Sequence, residues 1–380
     1  MSAARKRVAV VGVGTVGSQA AWRLASRGAE VVGYDRFAPG HDRSAAGGET
    51  RIFRSAHFED SRWVPLLQHA DVLWEQLQQE TGRELRTLTG CLLMGSTEEQ
   101  QMATVLESIA EHGLDHEVLD AETLAKRFPQ YRLEAGDAVV LDRRAGVIRP
   151  ELTVQTAARR AEQLGATIHR YTTVREITPV NGGVEIHTDS GSEHFDAVVV
   201  TVGPWVNDLL PGLPWDVQIR RVISAWFVPT TDAWFGEERP AFIRTTPTHC
   251  YGLPSPDGIS VKLGLSKDLH RPAGDPNALD RTVQPEELEI YAELIRRHMP
   301  DLHPDPTRVS VFMEGYTDST RPLVGPLPGA GNENMILLAG FSGHGFKLSP
   351  AFGDIAADLA LEGSSSQPID FMSTVGRTEA

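Results

Sequence analysis

The sequence predicts an α/β fold: a nucleotide-binding domain assembled from separated segments, carrying an inserted antiparallel-sheet domain. Three observations carry this. The chain opens with strand, glycine turn, helix and strand over Val8–Tyr34, about 30 residues, the size of a βαβ unit. It closes with another strand, glycine-rich turn and helix, from Met335 to about Leu361. Between them, residues 217–312 are richer in Pro, Trp and Thr and alternate in short runs, as antiparallel strands do.

Taken in order, Val8–Val11 reads as a strand that runs into Gly12-Val13-Gly14-Thr15-Val16-Gly17. Ser18–Arg27 follows as a helix with Ala20, Ala21, Leu24 and Ala25 on one face, closed by Gly28. Glu30–Tyr34 is a strand ending at Asp35. Helical spacing recurs over Pro65–Glu80, ended by Gly82, and over Thr97–His112, ended by Gly113. Pro150 starts a helix to Leu164. Strands are expected at Thr167–Tyr171, Val174–Pro179 and Val184–Thr188. The apolar run Ala197–Val202 suits a central parallel strand buried on both faces. In the middle segment, Val222–Val228, Ala241–Thr245 and Ile259–Leu265 are the expected strands, and Trp226 and Phe227 belong to the core. The last dozen or so residues are expected to fray.

Composition narrows the function. The chain is 41% hydrophobic and 23% charged over 380 residues, which suits two domains with a sizeable core. A net charge of −15, from 36 basic and 51 acidic residues, argues against a nucleic-acid partner. It leaves room for a small anionic ligand held by a few cations. Two cysteines, Cys91 and Cys250, support neither a disulfide framework nor a cysteine metal site, and fit a reducing cytoplasm. His57, His249 and His344 have no metal-ligand spacing. The apolar stretch Val8–Val16 is short and broken by glycine, so neither a signal peptide nor a membrane anchor is expected.

The first glycine motif fits a Rossmann-type dinucleotide site. Gly12 permits the tight turn, Gly14 lets a pyrophosphate approach the backbone, and Gly17 lets the helix pack on the strand. The helix N-terminus offers N–H groups to the anion, and Asp35 accepts from an adenosine ribose. This motif alone does not separate FAD from NAD. The second turn, Gly340-Phe341-Ser342-Gly343-His344-Gly345-Phe346-Lys347, can present amides and a cation to a negative ring system, or be a tight connection with a solvated lysine. In Gly47-Gly48-Glu49-Thr50-Arg51-Ile52-Phe53-Arg54, two arginines three apart are read as facing one side of a helical turn. They match carboxylate or phosphate, or form a solvated basic face.

Together these stretches resemble the monomeric sarcosine oxidase and N-methyltryptophan oxidase family of FAD-dependent amine oxidases. The resemblance runs from the first strand to the last helix, and GETRIFR, YGLP, VKLG and GFSGHGFK carry it. It implies an FAD domain from residues 1–85, 145–216 and 318–380, and a substrate domain from 86–144 and 217–317. It implies that Arg54 and Lys347 hold a substrate carboxylate, that Thr50 and Arg51 line the isoalloxazine, and that Tyr251 lines the substrate pocket. Lys262 matches a lysine that activates oxygen beside flavin N5; otherwise it is a strand lysine reaching solvent. Val174 matches the residue whose backbone meets the adenine, Gly203 a strand-end turn near the cofactor, and Gly343, Gly345 and Phe346 the turn at the ring.

Three positions depart from the family pattern. Relatives attach FAD through a cysteine, and Ser310–Thr317 has none. Phe312 or Glu314 stands in its place, depending on the matching, so the FAD is expected to be non-covalent. Ala46 and Gly47 stand where a relative has histidine before the GETR-like stretch. Ser266 replaces a second histidine beyond VKLG, which leaves the substrate side chain open. Glu314 either faces the pocket, pairing a substrate cation or a protein arginine, or faces solvent.

The chemistry expected is oxidation of a C–N bond in a small amino acid or N-alkyl amino acid, with O2 as acceptor. The catalytic set is Arg51, Lys262 and Lys347. An FAD dehydrogenase with another acceptor, an NAD(P) enzyme and a flavin-holding scaffold stay open. A monomer or weak homodimer is expected.

Overall fold

The computed structural model describes residues 5–43, 45–55, 60–329 and 331–375; His57 lies outside them. Six strands form the nucleotide-binding sheet, in the order 323–326, 335–339, 197–200, 7–11, 30–34 and 167–169. Neighbours run parallel except Leu323–Pro326 against Met335–Ala339. The run at 197–200 is central, between 7–11 and 335–339, and Val198, Val199 and Val200 are fully buried. Its even apolar character follows from having layers on both faces. Helices Gly17–Ser26, Pro150–Gln163 and Ser349–Glu362 pack together over one face, with Ala20, Ala21, Ala157 and Ala356 in their shared core.

The second large sheet has eight strands, in the order 308–316, 218–227, 261–265, 250–254, 241–244, 91–96, 137–142 and 116–119. It is antiparallel throughout, apart from the parallel pairing of Ala241–Arg244 with Cys91–Met94. Two residue blocks far apart in the chain therefore build one sheet. Smaller three-stranded sheets join 51–53, 146–148 and 86–87, and 174–180, 183–188 and 191–195. The strand at 191–195 was not anticipated from the sequence.

Two expectations fail. The middle segment is not sheet alone: Pro285–His298 is a helix, with proline in its first turn and a capping box between Gln284 and Glu287. It buries Tyr291, Leu294 and Ile295 against the sheet core around Phe227 and Leu263. Nor is the C-terminal dozen frayed as far as Val375. Met372 is fully buried, and Thr374 bonds through N and Oγ1 to the oxygens of Val324 and Pro326, at 3.1 and 2.7 Å. Among the described residues, no helix is long and apolar enough to cross a membrane.

Candidate active site

A cavity of about 620 Å³ opens along the carboxyl ends of the parallel strands, where open α/β sheets place their ligands. Gly12 ends the first strand there at φ +87°, and a Cβ at Gly12 would sit 2.6 Å from the oxygen of Thr201. A Cβ at Gly17 would sit 1.8 Å from the oxygen of Gly12, so this glycine seats the helix on the turn and does not line the cavity. Gly14 does line it, and a Cβ there would meet no atom of the described residues within 4 Å. Asp35 is buried and accepts from the main-chain N–H groups of Val13 and Phe37, at 2.9 and 2.8 Å. Val174 and Gly203 line the same end, with Phe37, His41 and Trp205 packed ring against ring beside them. Sequence reasoning missed these three rings, which carry no spacing signal.

The far end of the cavity collects residues from distant segments. Arg51 belongs to a β-strand, Arg51–Phe53, so the helical-turn reading of the two arginines is wrong. Arg54 follows the strand's end, and both arginines still line the cavity. Arg51 donates to the oxygens of Ala45 and Gly47, at 2.5 and 2.7 Å, and of Thr50, at 2.7 Å. Its guanidinium thus folds back on its own loop. Arg54 and Lys347 are 6% exposed, which places both cations inside the protein. Lys347 Nζ lies 3.3 Å from His344 Nδ1, and Trp74 Nε1 donates to the Lys347 oxygen at 3.0 Å. Gly343, Gly345 and Phe346 line the wall beside it.

Tyr251, Ser266 and Glu314 line the cavity from the eight-stranded sheet and its connections. Tyr251 faces Gly264 across two strands, and a Cβ on Gly264 would sit 2.2 Å from the tyrosine ring. The glycine of VKLG therefore makes room for the tyrosine of YGLP. Burial pushes the Tyr251 hydroxyl up to about 12, with Arg51 pulling down and Glu314 pushing up, so it remains a donor at neutral pH. Glu314 accepts from Tyr316 at 3.0 Å.

Besides Gly17, two expected site residues do not line the cavity. Lys262 is 1% exposed, which removes the reading of a lysine reaching solvent. Its Nζ donates to the oxygens of Gly48 and Thr50, at 2.8 and 3.2 Å. A Cβ on Gly48 would lie 3.1 Å from that Nζ and from the ring of Phe312, which does line the cavity. Lys262 thus stands one layer behind the wall. Thr50 is buried in the same layer, its Oγ1 without a hydrogen-bond partner among the described residues. Sequence reasoning also missed His270 and Tyr316; the second could have been found, since it sits two residues from Glu314 on the same strand.

The cavity has a glycine turn at a helix start, an acid after the second strand, and two buried cations at the far end. This suits a long anionic dinucleotide. The family of FAD-dependent oxidoreductases matches residues 7–359. The chain belongs to this family. The FAD-dependent oxidoreductase is 33% identical to the monomeric sarcosine oxidase of Streptomyces avermitilis, over 95% of each chain. It is 29% identical to the N-methyl-L-tryptophan oxidase of Salmonella dublin, over 94% of this chain and 95% of that one. Among solved structures it is similar to NikD, described as an unusual amino acid oxidase essential for nikkomycin biosynthesis. The TM-score is 0.83 and the identity 26%, over 97% of each chain. The family resemblance read from the sequence therefore holds over nearly the whole length, and the expected cofactor, FAD, is the family's.

Proposed function

We propose that this oxidoreductase oxidises the C–N bond of a small amino acid or N-alkyl amino acid, with O2 as acceptor, giving an imine and hydrogen peroxide. The observation that carries this is that Arg54 and Lys347, 293 positions apart, are buried cations lining one cavity, which Tyr251 and Glu314 also line. Two buried cations suit a carboxylate, because its attraction to them is little screened there. A neighbouring carboxylate, Glu314, suits the substrate's nitrogen.

Bound FAD supplies the hydride acceptor and, on reaction with O2, hydrogen peroxide. The residues would divide the rest. The turn at Gly12 and Gly14 would hold the pyrophosphate, Asp35 the ribose, and Val174 and Gly203 the adenosine end. Arg51 and the amides of Gly343–Phe346, with Lys347, would stabilise negative charge at the ring. Arg54 and Lys347 would orient the substrate through its carboxylate, with Tyr251 and Ser266 shaping the side-chain pocket. Lys262 would supply positive potential from behind the wall. Neither cysteine of the chain lines the cavity, so a cysteinyl attachment has no thiol, which supports a non-covalent FAD.

An anaerobic screen of amino acids and N-alkyl amino acids for bleaching of the flavin near 450 nm (roughly where the oxidised cofactor absorbs) tests this. Bleaching by amines bearing a carboxylate, with peroxide formed when air is admitted, is the expected result. Bleaching without oxygen uptake makes the protein a dehydrogenase. No bleaching by any amine overturns the reading.

A further inference from the structure

Glu314 and Tyr316 lie two residues apart on one strand, so they share a face of the sheet. The Tyr316 hydroxyl lies 3.0 Å from Glu314 Oε2 and 3.2 Å from His270 Nδ1. His270 Nε2 lies 3.1 Å from the main-chain oxygen of Leu265. All three side chains line the main cavity. His270 also lines a second cavity of about 80 Å³, shared with the exposed residues Leu269, Arg271 and Glu286. It stands between the two spaces.

Counting protons shows what this row can do. The Leu265 oxygen only accepts, so His270 Nε2 carries hydrogen, and a neutral His270 leaves Nδ1 as an acceptor. The Tyr316 hydroxyl has one proton and two acceptors within reach. Both contacts become hydrogen bonds only when a second proton is present. That proton sits either on Glu314 or on His270 Nδ1, and in each case it is donated to the Tyr316 oxygen. The two arrangements have the same composition and differ by movement of protons along the row. Without the second proton, the row has one vacancy.

We propose that Glu314, Tyr316 and His270 form a relay that takes the proton of the substrate's ammonium group and passes it from the main cavity to the smaller one. The relay rests on the reading above, that the substrate is an amine. An ammonium nitrogen has no lone pair to support loss of hydride from its carbon, so one proton must leave first. In the first step the N–H bond breaks and an O–H bond forms on Glu314. In the second, Glu314 gives its proton to the Tyr316 oxygen while the Tyr316 proton passes to His270 Nδ1. In the third, His270 Nε2–H turns from the Leu265 oxygen and breaks, its proton passing to solvent water in the smaller cavity, and His270 stays neutral with the hydrogen on Nδ1. No electron pair is lost or gained overall.

The surroundings favour release. Burial pushes the His270 imidazole below its ordinary value, against the opposing charge of Glu314, so His270 passes the proton on rather than storing it. Arg220 faces Glu314 on the next strand, its guanidinium 5.0 Å from the centre of the Tyr316 ring. Tyr251, His249 and Asp268, from the strand at 250–254 and the connections beside it, line the same cavity as the row. Arg221, Arg271, Glu286 and Glu287 line the smaller cavity, and His344 and Lys347 line the main one.

Two readouts on the FAD-loaded enzyme test the relay, using Tyr316→Phe, Glu314→Gln and His270→Gln. The first needs no turnover. In histidine-labelled protein, the NMR titration of His270, assigned by its loss in His270→Gln, should fall by about one pH unit in Glu314→Gln. The second is the pH dependence of anaerobic flavin reduction by the amine found in the screen. All three variants should lose at least about tenfold at neutral pH and recover as pH rises and free amine becomes abundant. A midpoint unmoved in Glu314→Gln overturns the relay, and so does a loss that is equal at every pH. Active amines without the NMR coupling overturn the relay alone. Coupling with no active amine overturns the substrate reading and removes the relay's donor with it.

Discussion

Lys262 donates through Nζ to the main-chain oxygen of Gly48 at 2.8 Å, tying the eight-stranded sheet to the loop that leads into the Arg51–Phe53 strand. Lys262 itself is 1% exposed, and its ammonium also lies 5.5 Å from the centre of the Trp226 ring. Burial, with the charge of Arg51 added, pushes the Lys262 ammonium well below its ordinary value. A charge held at such cost suits a part in chemistry. Lys262→Met keeps the length of the side chain and removes the donor. Anaerobic flavin reduction by the substrate should change by less than about threefold, while reoxidation by O2 should slow by about tenfold or more. Stopped-flow traces of the two half-reactions decide this. Equal effects on both remove Lys262 from the oxygen step.

The two glycines at the start of the first helix separate folding from cofactor binding. A Cβ at Gly17 would lie 1.8 Å from the Gly12 oxygen and 2.5 Å from Thr201 Oγ1, so Gly17→Ala must distort the turn itself. A Cβ at Gly14, which lines the cavity, would meet no atom of the described residues within 4 Å. Gly14→Ala should therefore leave the melting temperature of cofactor-stripped protein within about 2 °C and weaken FAD binding by about tenfold or more. Gly17→Ala should lower the stripped protein's melting temperature by more than about 5 °C. Calorimetry and flavin titration of the two variants check both.

What could be read from the sequence divides by range. Gly12, Gly14, Gly17 and Asp35 act through neighbouring backbone, so their spacing carried their roles. The run 197–200 announced its central place because burial on both faces leaves no polar alternation. Arg51 and Arg54 misled, since three-residue spacing suits a helical turn, yet Arg51 pairs with Ile148 in a sheet. The strand partner lies 97 residues away and no local pattern reports it. Pro285 and the Gln284–Glu287 box did announce a helix, but Pro-rich surroundings hid it. His270 and Tyr316 meet across 46 residues, a contact made by folding alone.

Arg54 is proposed to dock a carboxylate, and a substrate pair can isolate that contact. Arg54→Leu should raise KM for an amino acid substrate by about tenfold to a hundredfold, with flavin content unchanged. For the corresponding amine lacking the carboxylate, KM should stay within about twofold. Steady-state peroxide formation with both compounds measures the difference. A similar rise for both places Arg54 in the support of the wall and not at the carboxylate.

Attachment of the cofactor turns on the absence of a thiol at the cavity. Cys91 and Cys250 are both buried and free, and burial pushes the Cys250 thiol up to about 12, which disfavours the thiolate an attachment needs. Acid precipitation should release all of the yellow cofactor into the supernatant. Colour retained in the pellet, with flavin fluorescence on a denaturing gel, contradicts a non-covalent FAD.

Asp354 joins three helices and makes stability depend on pH in a defined direction. It accepts from Arg23 on the first helix at 2.8 Å and from Arg27 at that helix's C-cap, and lies 2.8 Å from His69 on the helix at 64–81. Burial alone would raise its carboxyl, but the His69 hydrogen bond and the two arginines outweigh burial and hold it well below the usual carboxylate range. The folded form therefore prefers the carboxylate more than the unfolded chain does. That preference stabilises the fold at every pH above the ordinary aspartate value, and fades as pH falls from there through the folded value. Asp354→Asn keeps the shape and removes the charge. It should cost about 2 kcal/mol at pH 7. The gap between the variant and the parent should hold from pH 7 down to about 5 and narrow below about 4. Denaturant titrations at pH 7, 5 and 3.5 (values spanning the ordinary aspartate range of about 4) measure it. A gap that stays constant across this range would assign the cost to packing and not to the carboxylate's charge.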